Sequence, residues 1–215
     1  LEVNYKKMWC PNDKKEFFRV LGQIIPEGSV GKLLIKTIQE PLKNIVEIGT
    51  WNGLGSTKCF LLGLQDSTSF YTLETNREKV EIAKQNLSSL IRPNVTFLWG
   101  SILSPEDIVN PESVFPELVN PEFKRWHSLD MENIYSSPNV LSQLPEEIDF
   151  LLLDGGEFTT WYEFQILFPR CKKWIALDDV LVSKCKKIRE YLRGHALWSE
   201  TYIQERNGFS LFRHL

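Results

Sequence analysis

The sequence predicts an α/β fold: a doubly wound, Rossmann-like sheet of seven strands, mostly parallel, with a C-terminal antiparallel hairpin strand. Three observations predict it. Short apolar runs alternate with stretches of helical periodicity along most of the 215 residues. Ile148–Leu153 is apolar apart from Asp149, as a strand buried on both faces of a parallel sheet would be. Near the end, Asn207-Gly208 between two strand-like runs signals a closing β-hairpin.

In order along the chain, Asp13 with Glu16 forms a capping box opening a helix through about Gln23. A second helix runs from Ser29 to Gln39. Asn44–Ile48 is a short apolar strand that enters a glycine-rich turn, and Ser56–Leu64 is the helix after it. Ser69–Leu73 is the second strand. Asn76 then caps a helix whose Val80, Ala83, Leu87 and Leu90 share one face. Asn94–Trp99 is the third strand and Ile148–Leu153 the fourth. Thr159–Phe168 is helical, and Lys173–Leu177 is the fifth strand. Ser183–Arg193 is a helix with Cys185, Ile188 and Leu192 inward, and Lys184, Lys187 and Arg193 on a solvated outer face. Ala196–Ile203 and Phe209–Arg213 form the hairpin.

Residues 101–147 break this rhythm, since connections inside a compact domain usually take a few residues. They hold six of the eleven prolines and nine acidic residues against Lys124 and Arg125, a charge of −7 where the rest of the chain carries +4. Trp126, Ile134, Tyr135 and Leu141 supply enough apolar surface for a partly helical lid over a site; a solvated decoration is the competing reading. With the helices of 1–43, the whole of 1–215 reads as one domain.

Composition narrows the function. At 42% hydrophobic, 25% charged and a net charge of −3, the chain is ordinary globular material, not a general nucleic-acid binder. No apolar run reaches the roughly 20 residues that span a bilayer. Cys10, Cys59, Cys171 and Cys185 form no CxxC pair and read as reduced thiols packed as small hydrophobes, which suits a cytoplasmic protein. The start at Leu1 has no signal-peptide core and no Met, as expected of a processed chain or a domain cut from a larger multidomain protein.

The strongest signal is Glu47-Ile48-Gly49-Thr50-Trp51-Asn52-Gly53-Leu54-Gly55, between strand and helix. Glycines permit positive φ and close approach of the backbone to a ligand, and free N–H groups at the turn and helix start favour an anionic group. A phosphate-binding P-loop needs Gly-Lys-Ser/Thr, but Gly55 is followed by Ser56-Thr57-Lys58. The dinucleotide fingerprint G-x-G-x-x-G has the reverse glycine spacing, which speaks against an NAD-dependent oxidoreductase.

Glu-x-Gly-x-x-x-Gly-x-Gly after a first strand resembles the motif of class I S-adenosylmethionine (SAM) dependent methyltransferases. Val46 to Gly53 followed by Ser56-Thr57 looks like the branch with cephalosporin-hydroxylase-like proteins and metal-dependent small-molecule and sugar O-methyltransferases. The resemblance covers about residues 44–100 and 148–213. It implies that Glu47 holds the amino-acid end of SAM, with Gly49, Thr50, Trp51, Gly53 and Ser56 lining that end. It implies that Glu74, 27 residues after Glu47, takes the ribose hydroxyls; a carboxylate accepts two hydrogen bonds from a vicinal diol. Gly100 and Ser101 fall where relatives contact adenine.

Three acids, Asp154, Asp178 and Asp179, close the fourth and fifth strands, whose carboxyl ends lie side by side in such a sheet. Unpaired, they would raise one another's pKa; a hard divalent cation relieves this. The positions resemble the metal triad of catechol-type and sugar O-methyltransferases, which implies Mg²⁺ on Asp154, Asp178 and Asp179; the plainer alternative is a substrate-facing Asp154 with Asp178 and Asp179 capping the next helix. Relatives often read Asp-Gly-Asp after the fourth strand, whereas this chain reads Asp154-Gly155-Gly156-Glu157, so Asp154 or Glu157 becomes the expected catalytic base. His127 is another candidate base but reads more simply as a lone surface histidine, and Trp161 and Tyr162 read as core or as the wall of an acceptor pocket. The expected activity is methyl transfer from SAM to a hydroxyl of a small acceptor, a sugar or glycan by family flavour, with neither nucleic acid nor membrane as partner. A non-catalytic SAM-binding module is the alternative.

Overall fold

The structure, a computed structural model, describes residues 23–215. The expected capping box at Asp13 and Glu16, its helix, and Cys10 lie outside the described residues. The elements that follow are α1 (Ser29–Thr37), β1 (Asn44–Ile48), α2 (Ser56–Gly63), β2 (Ser69–Glu74), α3 (Arg77–Asn86) and β3 (Val95–Trp99). After the insertion come β4 (Ile148–Leu153), α6 (Thr160–Leu167), β5 (Cys171–Asp178), α7 (Ser183–Arg193), β6 (Trp198–Ile203) and β7 (Phe209–His214). The insertion contributes α4 (Pro111–Val114), α5 (Pro121–Ser136) and three short 3₁₀ turns.

The seven strands form one sheet in the order β3-β2-β1-β4-β5-β7-β6. Strands β1 to β5 pair in parallel and β7 pairs antiparallel with both β5 and β6. The order reverses between β1 and β4: the chain winds outward through β2 and β3, crosses back, and winds the other way. Such a reversal opens a crevice at the carboxyl ends of the two central strands.

Alternation along those strands builds two cores. Ile45, Phe150 and Leu152 pack with Leu34 of α1, Cys59 and Phe60 of α2 and Leu87 after α3. Val46, Ile48, Leu151 and Leu153 face the other way, onto Ile134 of α5, Phe164 of α6 and Ile188 and Leu192 of α7. Every residue of β4 is buried. Phe60 meets Phe70 and Phe150 at centroid distances of 5.1 and 5.5 Å; such ring pairs add about 0.5–1.5 kcal/mol each beyond area burial. Asp149, the one acid in β4, sits near its N-terminal end and accepts from the N–H groups of Lys43 (2.6 Å) and Asn44 (3.2 Å), tying β4 to the start of β1. Cys59, Cys171 and Cys185 are buried free thiols, as the sequence suggested.

The insertion packs onto the sheet through a few apolar side chains while much of it stays exposed. Phe115, Leu118 and Ile134 enter the same core as β4. Its ends are drawn together where Ser101 N–H donates to Pro138 O and Val140 N–H to Ser101 O. Gly100 allows this approach, because a Cβ there would stand 2.5 Å from Pro138 O. Among the described residues no helix is long and apolar enough to cross a membrane.

Candidate active site

Glu47 shares the parity of Ile45, so it points to the face covered by α1 and α2. Thr72 stands beside it in the β1–β2 register, and Ser56 and Thr57 begin α2. Three hydroxyls donate to its carboxylate, from Ser56 (2.6 Å), Thr57 (2.7 Å) and Thr72 (2.6 Å). The side chain is fully buried, and burial pushes its carboxyl up to about 7 against the pull of those hydroxyls. Expected to touch the ligand, Glu47 is enclosed by hydroxyls that lock β1, β2 and the start of α2 around the turn.

The turn is held just as tightly from within. Gly49 and Thr50 both donate N–H to Leu73 O, at 2.9 and 3.0 Å, and Gly53 N–H donates to Thr50 O. Trp51 N–H donates to Glu74 Oε2 at 2.9 Å. The expectation of free amides along the turn is therefore corrected for Gly49, Thr50 and Trp51, whose acceptors lie on β2, and for Gly53, whose acceptor is Thr50 in the turn itself. The open helix start is that of α2, whose first amides have no partner within the helix. Gly49, at φ +100°, is required by space as well as by conformation, since its Cβ would fall 2.1 Å from Asp154 O. Trp51 holds φ +48°, uncommon for a bulky residue and typical of functional turns.

Glu74 closes β2 beside this turn. Its second oxygen accepts from Asn76 N–H at 2.9 Å, so the carboxylate is oriented from both sides. Ser101 is buried and its hydroxyl accepts from Leu103 N–H at 2.9 Å, a contact inside its own loop.

Across the switch point, Leu153 and Leu177 are register partners, which sets Asp154 beside Asp178. Carboxylate oxygens of Asp154, Asp178 and Asp179 lie within 4.8 Å of one another, so the three acids converge as the sequence indicated. Two cations already stand among them. Lys184 Nζ is 2.8 Å from Asp154 Oδ1 and 2.8 Å from Asp179 Oδ2. Arg206 Nη2 is 2.8 Å from Asp178 Oδ2 and 3.3 Å from Asp179 Oδ1, and Asn207 Nδ2 donates to Asp179 Oδ1 at 3.1 Å. Burial pushes Asp154 up while Lys184 pulls it back. Burial and the neighbouring Asp154 and Asp179 push Asp178 to about 7, with Arg206 opposing. For Asp179 the burial penalty is outweighed by Lys184, Arg206 and Asn207, which hold it below the usual carboxylate range.

Lys184 corrects the sequence reading, which set it on a solvated outer face. It is the second residue of α7, and helical side chains lean toward the N-terminus, so it reaches back to the strand ends. Only 10% of its side chain is exposed. Glu157 Oε1 accepts its backbone N–H at 3.2 Å, and burial raises the Glu157 carboxyl.

Asp130 on α5 went unnoticed in the sequence. A Cβ on Gly156 would stand 2.6 Å from Asp130 Oδ2, so the insertion brings an acid against the turn after β4. Burial, and then Glu157, push Asp130 to about 7. Glu163 lies under Gly155, where a Cβ would come within 2.5 Å of its Oε2. That oxygen is buried with no hydrogen-bond partner among the described residues, and burial with Asp130 nearby pushes Glu163 to about 8. His127 is half-buried rather than on the surface, and burial lowers its pKa. Tyr162 is core, its hydroxyl donating to Val109 O at 3.0 Å, and Trp161 lies under the Lys187 ammonium.

No family model matches the sequence, and no curated protein does. Solved structures do. An O-methyltransferase from Bacillus cereus in complex with SAH (S-adenosylhomocysteine) superposes with a TM-score of 0.62 at 18% identity, covering 91% of this chain and 84% of its own. The O-methyltransferase TomG from Streptomyces achromogenes, involved in tomaymycin synthesis and complexed with SAM, gives 0.59 at 20% identity, over 86% and 78%. A methyltransferase from Geobacter sulfurreducens gives 0.59 at 16%, over 89% and 80%. The fold of this chain is the α/β Rossmann-like methyltransferase fold, as the resemblance at its glycine turn implied.

Proposed function

We propose that this chain is a SAM-dependent O-methyltransferase that methylates a hydroxyl of a small acceptor. One observation carries the reading: the glycine turn with Glu74 and the cluster around Asp154 meet at a single switch point, in a fold shared with SAM- and SAH-bound O-methyltransferases. SAM would lie across the carboxyl ends of β1 and β4. Glu74 would take the ribose diol, with Gly49, Thr50, Trp51, Gly53 and Ser56 framing the amino-acid end. Glu47 would act through them, by fixing the turn. Gly100 and Ser101 would border the adenine.

Asp154 or Glu157 would receive the hydroxyl proton as the oxygen attacks the methyl carbon and the C–S electron pair returns to sulfur. Burial raises both carboxyls, the direction a proton acceptor near neutrality needs. Alignment of oxygen, carbon and sulfur by a closed site supplies much of the remaining acceleration. Mg²⁺ among Asp154, Asp178 and Asp179 has the right oxygen donors, but Lys184 holds the bridging position, so the groups as arranged do not fit the ion.

Sugar or glycan hydroxyls are the acceptor class we favour, with the N-terminal region and the insertion shaping the choice. The test is transfer of labelled methyl from SAM to a panel of sugars and phenols. Product on a hydroxyl supports the reading; SAM binding without turnover on any acceptor supports the non-catalytic module.

A further inference from the structure

We propose that the Lys184 ammonium is the resident cation of the Asp154, Asp178 and Asp179 cluster, and that this chain's methyl transfer needs no divalent ion. The inference rests on the methyltransferase reading for its chemistry, though not for its geometry. Lys184 Nζ bridges Asp154 Oδ1 and Asp179 Oδ2 at 2.8 Å each, the place from which a metal would have to join the two strand ends. Arg206 covers Asp178 Oδ2 and Asp179 Oδ1. The three carboxylates thus face two permanent positive charges, and a divalent ion entering beside them meets repulsion as well as attraction.

The two cations are held differently: Lys184 from the interior and Arg206 from a more exposed turn. Lys184 is anchored at its backbone by Glu157 Oε1 and lies nearly buried. Arg206 and Asp179 both hold left-handed backbone, at φ +52° and +57°. Their turns are laced together by Val180 N–H to Gly208 O (3.1 Å) and Leu181 N–H to Asn207 O (2.8 Å). Displacing the ammonium would leave a buried positive charge without its partners, or demand that the start of α7 move.

The arrangement suits the chemistry. An ammonium has three N–H donors; Asp154 and Asp179 take two, leaving one for the acceptor oxygen. That hydrogen bond orients the hydroxyl and stabilises the negative charge it gains as its proton passes to Asp154 or Glu157. The oxygen–methyl bond then forms, and the C–S pair stays with sulfur as the thioether of SAH.

The experiment titrates Mn²⁺ and Mg²⁺ into the whole chain, followed by calorimetry and Mn²⁺ paramagnetic resonance, alongside Lys184→Met and Lys184→Arg. The expected result is no stoichiometric metal binding by the wild-type chain or by Lys184→Arg. Lys184→Met, with the ammonium gone, binds Mn²⁺ at least about tenfold more tightly than wild type. Methyl transfer by the wild-type chain survives EDTA unchanged. Stoichiometric Mn²⁺ binding by the wild-type chain, or loss of its activity in EDTA restored by Mg²⁺, overturns the inference. The wild-type titration decides the question even if Lys184→Met does not fold. Because metal binding is read without turnover, failure to find an acceptor would count against the proposed function and leave this test standing.

Discussion

Glu74 accepts hydrogen bonds from two backbone amides, Trp51 N–H and Asn76 N–H, and these aim a half-buried carboxylate that has no ion-pair partner among the described residues. Removing it should cost the ligand its ribose contacts. Glu74→Ala is expected to weaken SAH binding about 10- to 100-fold, the range for hydrogen bonds to a charged group, with the far-UV spectrum unchanged. An unaltered Kd would remove Glu74 from the site. Gly49 makes a different demand. A Cβ there meets Asp154 O at 2.1 Å and the residue sits at φ +100°, so Gly49→Ala should destabilise the fold by about 2–4 kcal/mol in urea unfolding. A change below about 0.5 kcal/mol would mean that the turn adapts.

At the scale of elements, period and punctuation made most of the fold legible. Strands β1 to β5 announced themselves by apolar runs, α3 by its Asn76 cap, whose side chain accepts from Lys79 N–H at 3.2 Å, and the hairpin by Asn207-Gly208. The insertion was legible only as a composition. Its prolines fix several short helical starts, yet nothing in its pattern told that Asp130 would reach Gly156. Lys184 was misread for a related reason. Helical periodicity assigns faces along an axis, but a long side chain in the first turn projects past the helix end, where faces lose their meaning. The glycine turn was legible in identity and not in its hydrogen bonds, because the shared acceptor of Gly49 and Thr50, Leu73 O, lies on the next strand. Asp149 offers a test of how β4 is anchored. Burial opposes its charge, but the amides of Lys43 and Asn44 with the Lys173 ammonium outweigh it and hold its carboxyl below the usual range. Asp149→Ala removes the acceptor of these part-exposed amides and should cost about 0.5–1.5 kcal/mol, read as a lowered urea midpoint; an unchanged midpoint would mean that β1 holds its start without it.

Across the whole molecule, buried acids should govern stability against pH. Glu47 and Asp130 are raised to about 7 and Glu163 to about 8, from ordinary values of 4.5, 3.8 and 4.5. A carboxyl raised in the folded state adds stability that is complete below its unfolded pKa and lost as pH climbs through its folded one. These three therefore make the ligand-free chain more stable near about pH 5 than near about pH 8; His127, lowered by burial, opposes them on the acid side. Thermal unfolding across that window should show Tm falling as pH rises, and a Tm that instead climbs steadily to about pH 8 would mean that these acids are solvated and ionised. Bound SAM, cationic at its sulfonium and amino group, would meet this acidic surround and blunt the trend. The measurement that reaches the centre of the account is calorimetric titration of the chain with S-adenosylhomocysteine. One molecule should bind per chain, raising Tm as linkage requires and losing affinity in Glu74→Ala. No heat and no shift in Tm at saturating ligand would contradict the crevice between β1 and β4 as a SAM site.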